Sequence, residues 1–244
     1  MCKAVNLIAD AVQNKQKIAI YGDYDVDGIT STAIMVKYLR AVGADVVWHL
    51  PTREGEGDGL NNDAIQEIAD AGVSLIITVD CGISGNDEIE FAKKLGLTVV
   101  VTDHHSPDVQ LPNADAIVNP KRSDDTSGLT YLAGVGVAFL TLVALNREMR
   151  TRGLGIENSE LMTFMDLVAL GTVCDTMPLV GLNRAFVTTG LKVFALQQNL
   201  GLRVLMEVAG IKKISVYAIG FALGPRLNAA GRLDSAGPAL DLLL

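Results

Sequence analysis

KIAIYGDYDVDGIT, residues 17–30, sets the architecture of this 244-residue chain. After Lys17 the residues Ile18 to Tyr21 are apolar with no polar alternation, which is how a strand buried on both faces reads. Gly22 breaks the run. Aspartates follow at 23, 25 and 27, and residues 29–42 recover helical spacing. The same strand–loop–helix unit recurs downstream. Residues 45–50 (DVVWHL) predict a strand, followed by a helix over 61–71 that stops at Gly72. Residues 74–79 (SLIITV) predict a strand ending at Asp80, with a helix over 86–95 closed by Gly96. Residues 97–102 (LTVVVT) predict a strand ending at Asp103, and 116–118 one more short strand. Aliphatic strands alternating with helices imply an α/β fold, a mostly parallel sheet with helices on both faces.

Beyond Gly128 the texture changes. Residues 132–150, 159–170, 183–198 and 202–209 read as helices, and 152–158 (RGLGIEN) as a surface loop. The chain therefore divides into an α/β part, 1–128, and a mainly helical part, 129–244. Its last residues, 240–244, are apolar apart from one Asp. A helix of that kind is expected to pack against something further on, so the chain reads as a piece of a longer protein.

Composition sets outer limits. Apolar residues make up 49%, charged residues 20% and aromatics 5%, the balance of a globular protein with an aliphatic core. No leader sequence is visible, and the longest nearly apolar run, 132–145, is short of the roughly 20 residues that span a bilayer. The three cysteines show no pairing pattern, which fits a reducing cytoplasm. A net charge of −8 argues against a nucleic-acid partner. Two bound divalent ions would, however, cancel about four of those charges.

The chemistry gathers where strands end. Asp23, Asp25 and Asp27 follow one strand, Asp80 a second, and Asp103, His104 and His105 a third. In open α/β sheets ligands bind outside the carboxyl ends of the strands, so these segments share a rim. One acid after a strand can be a helix cap, and Asp80 alone reads equally well that way. Three alternating acids exceed what one cap needs, and they repel one another unless a cation holds them. A calcium loop of the EF-hand kind is excluded, because the twelfth position from Asp23 is Ile34 and a strand precedes the loop. An aspartyl-phosphate phosphatase loop, with Asp25 as nucleophile and Asp27 as acid, stays open, although it gives Asp103, His104 and His105 no role. Carboxylates mixed with imidazole suit Mn²⁺, with Mg²⁺ as the alternative, in a pair of ions that hydrolyses a phosphate ester.

The motifs YGDYDVDG, VDCGIS (79–84), VTDHH (101–105), IVNPK (117–121), LAGVGVAF (132–139), DLVALGTVCDTMPL (166–179) and GFALGPRLNAAGRL (220–233) together resemble the DHH phosphoesterase superfamily. Within it they are similar to the RecJ single-strand-specific exonucleases. The resemblance covers nearly the whole chain in order, and its last motif is the most specific. It implies a two-metal phosphodiesterase acting on single-stranded DNA, 5′ to 3′, in DNA repair and recombination. It implies Asp25, Asp27, Asp80, His104 and Asp175 as metal ligands, with Asp80 bridging, and Asp23 as a further ligand. His105 would contact the scissile phosphate and act as an acid, and Asp103 would support the histidines. Arg226, Asn228 and Arg232 would reach the substrate strand.

Many superfamily members carry His where this chain has Tyr21, so Asp23 is expected to compensate. Residues 1–128 would form the metal-binding core, and 129–244 the helical portion carrying Asp175 and the GPRLNAAGR motif. The DHH-associated and oligonucleotide-binding domains of such enzymes are expected to lie outside residues 1–244, with contacts to them in a longer protein. The resemblance leaves alternatives: an oligoribonuclease, a cyclic-dinucleotide phosphodiesterase, an Mn²⁺ pyrophosphatase, or a non-catalytic DNA-binding scaffold. Cys81 and Cys174 adjoin ligand positions, which raises either small buried side chains or an oxidation-sensitive site. Gly134 and Gly136 open a helix, and read equally as a phosphate cradle or as a means of close packing.

Overall fold

Five short parallel strands form the centre of the protein: β1 (Ile18–Tyr21), β2 (Val46–His49), β3 (Leu75–Val79), β4 (Thr98–Thr102) and β5 (Ala116–Val118), in the order β2-β1-β3-β4-β5. The computed structural model describes residues 1–52, 59–231 and 235–244. Strand side chains alternate between two cores. Ile18, Ile20, Leu75, Ile77 and Val100 face one, while Ala19, Tyr21, Ile76, Val99 and Val101 face the other. Both faces are covered, so the expected parallel sheet with helices on both sides is the one observed, and its strands carry the unbroken aliphatic runs that double burial requires.

The smaller core is closed by α3 (Asn62–Asp70) and α4 (Asn86–Lys94), which supply Ala64, Ile65, Ile68, Ile89 and Ala92. The larger lies under α1 (Cys2–Gln13), α2 (Val26–Ala41) and α5 (Gly134–Thr151). Helix α2 is buried on nearly every side from Val26 to Val36, because α5, α7 (Met165–Cys174) and α12 (Gly237–Leu243) pack around it. An all-round apolar helix is a buried one. The helical half is completed by α6 (Asn158–Met162), α8 (Gly181–Ala195), α9 (Leu200–Val208), α10 (Val216–Ala218), a π-helical turn (Ile219–Leu223) and α11 (Gly224–Ala230).

The structure adds to the expectations at two places and corrects them at one. Helix α1 has no counterpart in the sequence reading, although Ala4, Val5, Ile8, Ala9, Ala11 and Val12 form a buried stripe at helical spacing. The helix expected over 159–170 is broken at Thr163–Phe164 into α6 and α7, and α7 runs on to Cys174. The apolar C-terminal residues find their packing partners earlier in the chain: Leu240 and Leu243 are fully buried, and α12 packs against α2 and α9. Lys37 ties this segment down by donating from Nζ to the carbonyls of Leu243 (3.1 Å) and Leu244 (3.0 Å). Among the described residues no helix is long and apolar enough to cross a membrane.

Candidate metal centre

The chain leaves β1 to form β2 on one side, then returns to form β3 on the other side of β1. The carboxyl ends of β1 and β3 therefore flank the point where strand order reverses, where an open α/β sheet leaves a crevice for ligands. The acidic loop after β1, Asp80 after β3 and the Asp-His-His run after β4 all meet there. An open cavity of about 490 Å³ beside them is lined in part by Asp23, Asp80, Gly82, Asp103 and His105.

Each side chain is placed by local structure. Asp25 is the N-cap of α2 and accepts from the backbone N–H of Gly28 at 2.9 Å. Asp27, in the first turn, is buried. Its carboxylate accepts from Gly134 N (2.6 Å to Oδ2) and Val135 N (2.9 Å to Oδ1), the first free N–H groups of α5. Helix α5 has no cap of its own, so a carboxylate 107 residues earlier in the chain serves as one. The Gly134–Gly136 stretch is thus an anion site whose anion is Asp27. Gly134 has a second reason to be glycine: a Cβ there would collide with the Asp80 carboxylate.

Asp80 adopts a left-handed backbone, φ +61°, at the end of β3, a conformation that Asp tolerates better than most residues. Asp175 is the C-cap of α7 and is followed by Thr176, also left-handed at φ +56°. His104 donates from Nδ1 to the Leu132 carbonyl at 2.9 Å. A carbonyl can only accept, so Nδ1 carries the proton and Nε2 presents its lone pair. That nitrogen lies 3.1 Å from Asp80 Oδ1, 3.6 Å from Asp175 Oδ2 and 3.9 Å from Asp27 Oδ2.

Asp103 behaves differently. Its oxygens are taken up by backbone N–H groups of Ile83 (2.9 Å), His104 (2.6 Å) and His105 (3.0 Å), and by His105 Nδ1 (2.8 Å). It belongs to none of the metal-holding groups found among the described residues. It fixes the two histidines. Asn119 adds a second brace by donating to the His105 carbonyl at 2.9 Å.

Electrostatics separate the residues in the same way. Burial, then the charges of Asp175 and Asp25, push Asp27 well above the usual carboxylate range. Burial, then Asp27 and Asp25, do the same to Asp80. Burial and Asp25 bring Asp175 to about 6. Burial also acts to raise Asp103, but its bonds from His105 and the backbone outweigh that and leave it lowered. Burial lowers His104 to about 4, so it is neutral, as a ligand must be. The bond to Asp103 raises His105.

The residues fit a metal cluster. Asp80 Oδ1, His104 Nε2 and Asp175 Oδ2 are buried without a hydrogen-bond partner, which is costly unless something else binds them. Their ligand atoms fall into overlapping groups: Asp23, Asp25 and Asp80; Asp27, His104 and Asp175; and Asp80, His104 and His105. Asp80 and His104 each belong to two of the three groups.

The remaining expected residues are arranged as follows. Asn228 accepts from Val26 N at 3.1 Å, which locks α11 onto the loop that carries Asp25. Arg226 is exposed and donates to the Ala222 carbonyl at 2.8 Å. Arg232 lies outside the described residues. Tyr21 points into the smaller core, where its hydroxyl donates to the Gly59 carbonyl at 3.3 Å and its ring tilts against His49. Cys81 is buried, with its thiol directed at the Tyr21 carbonyl. Burial, then the nearby carboxylates, push both Cys81 and Cys174 up, Cys174 to about 12. Neither thiol belongs to the metal-holding groups found among the described residues; Cys81 is buried and Cys174 half-buried.

Residues 17–172 match the DHH family, N-terminal domain. The single-stranded-DNA-specific exonuclease RecJ of Bacillus subtilis is 44% identical over 246 residues, covering all of this chain and 30% of that protein. A crystal structure of exonuclease RecJ bound to manganese superposes with a TM-score of 0.87 at 38% identity, over 99% of this chain and 60% of that one. RecJ from Thermus thermophilus in complex with Mn²⁺ gives a TM-score of 0.83 at 37% identity, over 99% of this chain and 34% of that one. The chain spans 30–43% of the length of the curated RecJ relatives it matches. A nucleophilic aspartate loop at Asp25 is set aside, since the loop instead meets the Asp-His-His run of this family. On its fold, its converging acids and imidazoles, and this match, the chain belongs to the DHH family.

Proposed function

We propose that this chain is the cutting centre of a two-metal phosphodiesterase that removes nucleotides from single-stranded DNA, in the 5′-to-3′ direction and in the service of DNA repair and recombination. One observation carries the proposal: three buried ligand atoms, Asp80 Oδ1, His104 Nε2 and Asp175 Oδ2, converge with no hydrogen-bond partner. The names of the relatives supply the substrate. A cytoplasmic location belongs to the same reading and is supported by three unpaired cysteines.

Asp23, Asp25 and Asp80 would hold one ion, and Asp27, His104 and Asp175 the other; Asp80, 3.1 Å from His104 Nε2, is the residue that would be shared. The oxygen-rich donor set and the manganese-bound relatives favour Mn²⁺, with Mg²⁺ as substitute. When bound, such a pair supplies a water-derived nucleophile at neutral pH and neutralises charge on the phosphate. The protein's share is orientation. The α5 N-terminus fixes Asp27, the Leu132 carbonyl fixes the tautomer of His104, and Asp103 fixes both histidines. His105, half exposed at the cavity and oriented by Asp103, is the group that would give a proton to the leaving oxygen. Arg226 and Asn228 extend the site towards the strand.

The test is digestion of end-labelled single-stranded DNA with Mn²⁺, Mg²⁺ or chelator, by the wild-type chain and by Asp80→Asn. Mn²⁺-dependent nucleotide release by the wild type, lost in the variant and in chelator, is expected. Release that survives Asp80→Asn sinks the metal assignment. Preference for short RNA, cyclic dinucleotides or pyrophosphate sinks the substrate assignment.

A further inference from the structure

Ahead of the Arg226 motif lies a feature that the metal centre does not use. Tyr217, in α10, and Phe221, in the π-helical turn, stack on each other with ring centroids 4.8 Å apart and planes 25° apart. Both are largely in solvent, 73% and 72% exposed. Two large aromatic rings held face to face in water, while the main cores are filled with aliphatic side chains, are an unusual use of apolar surface.

Their position gives them a purpose. The backbone under the rings is part of the site's framework: Gly220 faces Val173, two residues before Asp175, and Gly224 packs against Cys174 so closely that a Cβ would press on its sulfur. The turn is π-helical, a distortion that recurs at functional sites. Five residues beyond Phe221 the exposed guanidinium of Arg226 is steadied by the Ala222 carbonyl of the same turn. Four residues beyond Phe221 comes Pro225 at the start of α11, which then carries Asn228 to the loop of Asp25.

We infer that Tyr217 and Phe221 form a stacking platform for the bases of a single strand whose phosphates pass Arg226 on the way to the metal centre. An exposed ring pair with an exposed guanidinium five residues further on offers a π-face to bases and a charge to phosphates. Stacking also accepts any base, which suits an enzyme that must digest every sequence. It supplies affinity without a strongly basic surface, and this chain carries a net charge of −8. The inference rests on the proposed phosphodiesterase function and adds the place where bases are held. The rings could instead be the seat of another folded domain or of a second copy of this chain, and the test separates these.

Binding is measured by fluorescence anisotropy in the Asp80→Asn background with Mn²⁺, so that the strand is not consumed. The probes are a short oligo-dT and an abasic oligonucleotide of equal length. The platform predicts that oligo-dT binds about tenfold or more tightly than the abasic strand. Tyr217→Ala with Phe221→Ala should erase that difference and leave abasic binding unchanged. Replacing both residues by Leu, which keeps apolar surface but removes the rings, should erase it too. Both residues are exposed, so the melting temperature of the variants should stay within about 2 °C of the parent.

A dT preference that survives either double variant overturns the platform. So does recovery of the preference by the Leu pair alone, which would mark a general apolar docking face. So does dimerisation in sedimentation equilibrium that the Ala pair abolishes. Failure of the wild-type chain to cut DNA would overturn the phosphodiesterase instead, and is read in the separate digestion assay.

Discussion

Asp80 combines three costs at one residue: a left-handed backbone, full burial, and the company of Asp27 and Asp25. Such a residue persists where function demands it. Asn tolerates the same backbone while carrying no charge. Asp80→Asn should therefore raise the melting temperature of the metal-free chain at pH 8. Mn²⁺ should raise the melting temperature of the wild type and leave the variant's unchanged. Differential scanning fluorimetry with and without Mn²⁺ checks both, and a variant that melts lower without metal would contradict the electrostatic account. Asp103 acts through the histidines, so Asp103→Asn should cost about 10–100-fold in activity without changing the number of ions bound. Steady-state kinetics beside a metal titration would show it. At this scale the candidate ligand residues were readable because acids and imidazoles are conspicuous at strand ends. Their supports were not: the Leu132 carbonyl and the N–H groups of Ile83, Gly134 and Val135 are backbone atoms that any residue type offers.

At the level of elements, the N-terminus of α5 answers what the Gly134-Val135-Gly136 stretch is for. The two glycines have different duties. A Cβ on Gly134 would strike the Asp80 carboxylate, whereas a Cβ on Gly136 would meet only Leu132 and Phe186 at ordinary contact distances of 3.4–3.6 Å. Gly134→Ala is therefore expected to weaken Mn²⁺ binding and activity by about tenfold or more. Gly136→Ala should leave both near wild type and add up to about 1 kcal/mol of helix stability. Calorimetric Mn²⁺ titration of the pair decides it, and equal effects would contradict the geometry. The strands and most helices were legible because burial on two faces, or on one stripe, leaves a periodic record. The last turn of α7 and the break at Thr163–Phe164 were not, because α7 is buried all round and carries no amphipathic period to mark its ends.

Across the whole molecule, the α/β half and the helical half share the larger core, with α2 enclosed between them. Asp175 reaches the candidate metal centre from the helical half, which links the proposed chemistry to the packing of α7 on α2. Deep in that packing, burial raises Asp166 to about 6, opposed by its bond from Leu167 N and the charge of Lys37. A carboxyl raised on folding favours the folded state at acidic pH, and that contribution is lost as pH rises through about 6. Asp166→Asn should thus stabilise the chain at pH 8 by as much as about 3 kcal/mol, with the gain shrinking towards pH 4. Urea unfolding at the two pH values tests the sign, and a gain confined to pH 4 would reverse it. The route of the chain between the halves was not legible in the sequence, since nothing in the spacing of residues shows that Asp27 would cap a helix 107 positions later.

The central claim is that Asp80 joins two metal ions. Mn²⁺ titration by isothermal calorimetry, with ion positions read from anomalous scattering, measures it directly. Two Mn²⁺ per chain, both in contact with Asp80 and both lost or weakened together in Asp80→Asn, is the predicted result. A single ion, or two ions that bind the variant as tightly as the wild type, would contradict it.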